Sequence, residues 1–241
     1  MKKTNKILPD IKIAEAIIDN PFLVLLLERF NISLPVQDLN ISDLCKSYGI
    51  NETLFEAFVS MYNGNTSIPE LKLNEHDALT IVHFLRVSHI YYSEQIYPEI
   101  TELINRMNQL NDHKEMKLVS VFFKDYFREV TDHLDYENEV FHPYVIQLAS
   151  QINNNEPSNI RDEYSVKQYK ARHDDIEEKL NDLRNLLIKY LPVNQDQTVR
   201  RKLLFLLSEL EFDLKIHSDI EELILIPFTL RMEKKVKQTE Q

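Results

Sequence analysis

Cysteine and glycine are nearly absent from this chain. Of 241 residues, one is cysteine, Cys45, and two are glycine. A single thiol excludes an internal disulfide and any cysteine-held zinc or iron–sulfur cluster built from this chain alone. So few glycines beside 43% hydrophobic residues leave the sequence poor in turn formers, which is typical of long helices. No apolar run approaches the roughly 20 residues of a membrane span, and the Lys-rich Met1–Lys6 is not followed by a signal-type apolar stretch. The expectation is a soluble, cytoplasmic protein with no membrane contact. Positive charge is also scarce: the net charge is −11. That balance disfavours broad nucleic-acid binding, which relies on neutralising phosphates, and it suits the attraction of cations.

What is present, conspicuously, is a repeat. His133-Leu-Asp-Tyr-Glu137-Asn-Glu-Val-Phe-His-Pro143-Tyr recurs as His217-Ser-Asp-Ile-Glu221-Glu-Leu-Ile-Leu-Ile-Pro227-Phe. Both copies read His-x-x-x-Glu with a proline ten residues after the histidine, and both have a carboxylate four residues upstream, Glu129 and Asp213. Four helical residues turn the chain by about 400°, so each His and Glu share one face, one turn apart. Two such helices facing each other supply half or more of a dinuclear metal site.

The chain around the repeat reads as helices throughout. Met1 to about Asp10 is a polar tail, and residues 1–66 form a small helical module ending in the turn-rich linker Asn63–Pro69. Within the module, Ile41–Asn51 resembles half of a helix-turn-helix; the reading preferred here is two short helices packing through Leu44, Ile50 and Leu54. Residues 67–241 read as four long helices: Asn74 to Leu110, Glu115 to Ile152, Asp162 to Tyr190 and Asp196 to Lys235. Their short, Asn- and Pro-rich connections predict antiparallel neighbours, hence an all-α, up-down-up-down four-helix bundle.

Apolar residues spaced in threes and fours show which side chains face inward. His89 lies mid-seam on the first helix between Leu85 and Tyr92, and His173 on the third between Tyr169 and Ile176. With His133 and His217, each helix therefore points one histidine inward. One histidine on an apolar seam is ordinarily a satisfied core residue. Four, with two carboxylates, would leave several buried polar groups short of partners at roughly 1–3 kcal/mol each, and divalent ions remove that cost. The predicted ligands are His89, His133, Glu137, His173, His217 and Glu221, a nitrogen-rich set that suits two non-haem iron ions with positions open for an oxo bridge or a diatomic; zinc and manganese fit the same residue types. Glu129, Asp213, Glu94 and Tyr92 are candidates for the surroundings of the ions. His142, nine residues past His133, counts to about 180° around a straight helix and is expected to face away. His83 lies off the seam, and His76 and His113 lie at helix ends.

With these blocks in place, the chain resembles the hemerythrin-like proteins, in particular their repair-of-iron-centres branch, over nearly its whole length. The residues that carry the resemblance are His89-Ile-Tyr-Tyr-Ser-Glu94-Gln, His133-x-x-x-Glu137 with Pro143, His173-Asp-Asp-Ile, and His217-x-x-x-Glu221 with Pro227. The resemblance implies a di-iron bundle in which Glu137 and Glu221 bridge and the four histidines are terminal ligands. It implies a role in repairing iron–sulfur centres damaged by nitric oxide or oxidants, with iron–sulfur proteins as clients, or in handling O2 or NO. Two departures stand out. The adjacent cysteine pair usual in the small N-terminal module is replaced by Leu34-Pro35-Val36-Gln37, and Arg172 stands where an acidic residue commonly precedes the third-helix histidine. Two other readings stay open beside repair: a diatomic sensor signalling through the N-terminal module to DNA or protein, and an oxygen carrier or iron store. Whether the chain is catalytic, and whether it forms a homodimer, stays open at this point.

Overall fold

The computed structural model describes residues 10–111, 114–154, 164–170, 178–192 and 195–239. Among these the protein is all-α and contains no strand; Lys12 and Asn40 form an isolated bridge. In chain order the helices are α1 (Ile13–Asp19), α2 (Leu23–Arg29), α3 (Ile41–Tyr48), α4 (Glu52–Tyr62), α5 (Glu75–Tyr91) and α6 (Tyr97–Leu110). There follow α7 (Lys114–Tyr136), α8 (His142–Asn154), α9 (Val166–Lys170), α10 (Glu178–Lys189), α11 (Gln197–Ile220) and α12 (Ile226–Thr239). The chain divides into two compact units, one of residues 1–85, 144–164 and 218–241, the other of residues 86–143 and 165–217.

The first unit begins with helices that carry their own start and stop signals. Asn40 caps α3 by accepting from the Asp43 amide, and Asn51 caps α4 by accepting from the Thr53 and Leu54 amides. Gly49, at φ 66°, ends α3 in the left-handed conformation that favours glycine. The short helices expected from the sequence are thus in place, with Leu44 and Leu54 fully buried and Ile50 partly so. Asn74 and Asp77 cap α5 reciprocally: the Asn74 side chain accepts from the Asp77 amide and Asp77 accepts from the Asn74 amide. The ring of Phe30 sits 5.4 Å from Phe55, 5.7 Å from Phe58 and 5.1 Å from Phe84, so α2 and α4 pack on the middle of α5. Cys45 is buried, and burial, with Glu52 and Glu56 nearby, pushes its thiol up to about 12, which makes it inert.

The second unit has one continuous core drawn from residues 92–107, 116–134, 180–191 and 199–214. Tyr97 stacks on Phe127 at 4.6 Å and 7°, and donates from its hydroxyl to Tyr126 at 3.1 Å, which joins α6 to α7. Arg200 ties the end of α10 to the start of α11. It donates to the carbonyls of Leu187, Leu191 and Pro192 and pairs with buried Asp196 at 2.8 Å.

The long helices are not uniformly α. Among the described residues three π-turns interrupt them, at Tyr92–Ile96, Glu137–Phe141 and Glu221–Leu225. Each ends with an amide reaching back five residues, Tyr97 to Tyr92, His142 to Glu137 and Ile226 to Glu221, and each is followed at once by proline, Pro98, Pro143 or Pro227. The physical reason lies in the proline. It has no amide to give and its ring would strike the carbonyl four residues back. A wider turn carries that carbonyl aside, and the proline then occupies the second position of a fresh α segment, where its missing amide costs nothing.

Candidate metal centre

The His-x-x-x-Glu of α7 is the seed of the centre. His133 and Glu137 are one turn apart, and His133 Nε2 lies 2.8 Å from Glu137 Oε1. Glu137 is fully buried at the first residue of its π-turn. On its other oxygen, Oε2, two further histidines converge: His89 Nε2 from α5 at 3.2 Å and His217 Nε2 from α11 at 3.8 Å. The two ring nitrogens are 3.3 Å apart.

These three edges (3.2, 3.3 and 3.8 Å) define a triangle whose circumradius is about 2.0 Å. A cation at its centre would sit at the distance that nitrogen and carboxylate ligands adopt around a divalent metal, about 2.0–2.2 Å. Neutral imidazoles around an ionised carboxylate are also the donor set such an ion requires. The residues therefore fit a metal ion.

The surroundings orient these donors. Asn138 Oδ1 lies 3.0 Å from His89 Nδ1; an amide oxygen only accepts, so Nδ1 carries the hydrogen and the lone pair of Nε2 faces the triangle. Arg86 in turn donates to the Asn138 carbonyl at 3.2 Å. The Tyr169 hydroxyl donates to Glu137 Oε1 at 2.7 Å, with its ring stacked on Phe141 at 3.8 Å. Tyr92 is buried and meets the His217 ring edge-on at 5.9 Å. Burial by itself would raise the Glu137 carboxyl, but the ring nitrogens of His133, His217 and His89 close beside it outweigh burial and hold the group well below the usual carboxylate range.

His142 requires a correction. A straight-helix count turns it away from His133, yet it is fully buried and its ring stacks on His89, with centroids 5.4 Å apart and planes 21° apart. The π-turn between them explains the difference. It absorbs one extra residue, so nine positions advance the helix by about eight, and the angle falls from about 180° to about 80°. Burial, then the nearby His89, holds His142 well below the ordinary imidazole range, against the opposing pull of Glu137. It stays neutral.

Of the predicted site residues, His89, His133, Glu137 and His217 come together. Glu221 is fully buried at the head of its own π-turn, and Asp213 is buried one turn before His217. Glu94 is exposed, and Glu129 is exposed and ion-paired with Lys179. His173, like Arg172, lies outside the described residues. Asn138, Arg86 and the hydroxyl role of Tyr169 were not foreseen; only Tyr169 left a signal, as an inward seam position. No helix among the described residues is long and apolar enough to cross a membrane. In comparisons with known proteins, no family model, no curated protein and no solved structure matches this chain.

Proposed function

We propose that this protein is a hemerythrin-like di-iron protein of an up-down-up-down four-helix bundle, acting in repair of iron–sulfur centres or in the response to nitric oxide and oxidants. The observation that carries the reading is the division of one buried carboxylate between two histidine sets. Glu137 Oε2 faces His89 and His217, while Oε1 faces His133. A carboxylate so divided is arranged to bridge two ions. The resemblance assigns His173 and Glu221 to the same centre, as terminal ligand and second bridge. A bound iron pair with open positions would supply binding and redox chemistry for a small diatomic ligand.

The chain's own residues have separate tasks. Asn138 fixes the tautomer of His89, and Tyr169 holds Oε1 of Glu137 so that Oε2 keeps its aim. Phe141, Tyr92 and the stacked Tyr169 ring wall the site with hydrocarbon, which excludes bulk water and strengthens each charge interaction inside. With Cys45 buried and its thiol unreactive, a repair role here would run through the iron centre and not through a thiol pair.

Iron analysis of the full chain after reconstitution should find about two ions per chain, with a near-ultraviolet band that responds to oxygen or nitric oxide. One ion or none would sink the dinuclear reading. The loaded protein should restore a nitric-oxide-damaged iron–sulfur client. Two irons without restoration would favour an oxygen carrier or iron store instead.

A further inference from the structure

His142 is the histidine that the repeat does not account for. In the second copy the same place, directly before the proline, is held by Ile226, which is also buried. The π-turn-and-proline device therefore accepts plain hydrocarbon at this position and does not itself call for an imidazole. Yet His142 is fully buried, and among the described residues neither of its ring nitrogens has a hydrogen-bond partner. A buried neutral imidazole brings one donor and one acceptor, and leaving both unmet is costly. One ring nitrogen lies within 4.8 Å of a Glu137 carboxylate oxygen, and the ring lies against that of His89.

We propose that His142 is itself a metal ligand, coordinating an ion together with Glu137. The inference rests on the metal-centre reading above and deepens it: this chain would carry one imidazole donor beyond the four histidines that reading already assigns. More nitrogen on the ion shared with Glu137 favours the borderline divalent metals, iron and zinc, over magnesium or calcium. It also removes a position otherwise available to an exogenous ligand.

The test uses the full chain, stripped and then titrated with zinc, with metal content, affinity and melting temperature as readouts. His142→Phe keeps the ring volume and the stacking but has no nitrogen. The metal-free variant should melt higher than the metal-free parent, because two stranded polar atoms are gone. The zinc-loaded variant should melt lower than the loaded parent, with affinity at the weakened position reduced by more than about tenfold. That reversal of sign is what a ligand predicts and a packing residue does not. Equal zinc content and affinity in parent and variant overturns the proposal, whatever the melting of the metal-free forms. Should His142→Phe not fold, His142→Ala with added imidazole decides: recovered zinc binding supports the assignment, and no recovery overturns it. A parent chain that takes up no metal sinks the centre as a whole, whereas a loaded parent beside an equally loaded variant sinks only the role of His142.

Discussion

At the scale of single residues, the centre depends on side chains that touch no ion in the proposed reading. Asn138→Leu would leave His89 Nδ1 without its acceptor while keeping similar volume. Metal affinity should fall about 10–100-fold, with the helical circular dichroism unchanged; an unchanged affinity would mean that Asn138 does not orient the ring. Tyr169→Phe removes one hydrogen bond to a buried carboxylate and should cost the metal-free protein about 1.5–3 kcal/mol in urea unfolding. The sequence pointed to His89, His133, Glu137 and His217, which the structure brings together, because residues one helical turn apart, or placed on an apolar seam, leave a periodic trace. Asn138 left none: it neighbours Glu137 in the chain but serves a histidine 49 residues away, a relation that only packing creates. His142→Ala would be a neutral control on a straight helix; with the observed burial it is expected to be a damaging change.

Among elements, the helix boundaries were legible and the helix geometry was not. The expected break points near Leu110, Ile152 and Pro192 agree with the ends of α6, α8 and α10, since Asn- and Pro-rich gaps stop a helix locally. The π-turns escaped because residue counting assumed one constant period, although a proline inside three of the four long helical patterns was the visible warning. The junction of α10 and α11 carries its own prediction. Arg200 is buried and donates to three carbonyls besides pairing with Asp196. Arg200→Leu strands a buried carboxylate and three acceptors and should destabilise the protein by about 3–5 kcal/mol, read as a drop in melting temperature. The double change Arg200→Leu with Asp196→Leu should recover part of that loss; no recovery would mean the carbonyl bonds, and not the stranded charge, dominate.

For the molecule as a whole, the N-terminal helices are packing partners of the first long helix, α5. Phe84, on α5, lies 5.1 Å from Phe30 and 4.8 Å from Phe58. Phe84→Ala should cost about 3–5 kcal/mol, and a chain beginning at Ile68 should melt lower than the full chain even though none of the proposed ligands precedes it. Equal melting of the two would show that the aromatic cluster contributes little. The hydrophobic seam displayed α5 as amphipathic but could not say that part of its apolar stripe belongs to a different set of helices, because periodicity identifies a face and not its neighbour. The π-turns also bear on how such a sequence tolerates change in length. A π-turn is one residue more than an α-helix needs, so a deletion within Glu137–Phe141 would erase the bulge and yield a chemically ordinary helix. Everything after it would keep its register, because eight positions of straight helix turn by the same angle of about 80° that nine positions with the bulge do, and His142 would stay beside His89. At those three points the loss of one residue is absorbed, whereas the same loss elsewhere in a helix would turn everything downstream by about 100°.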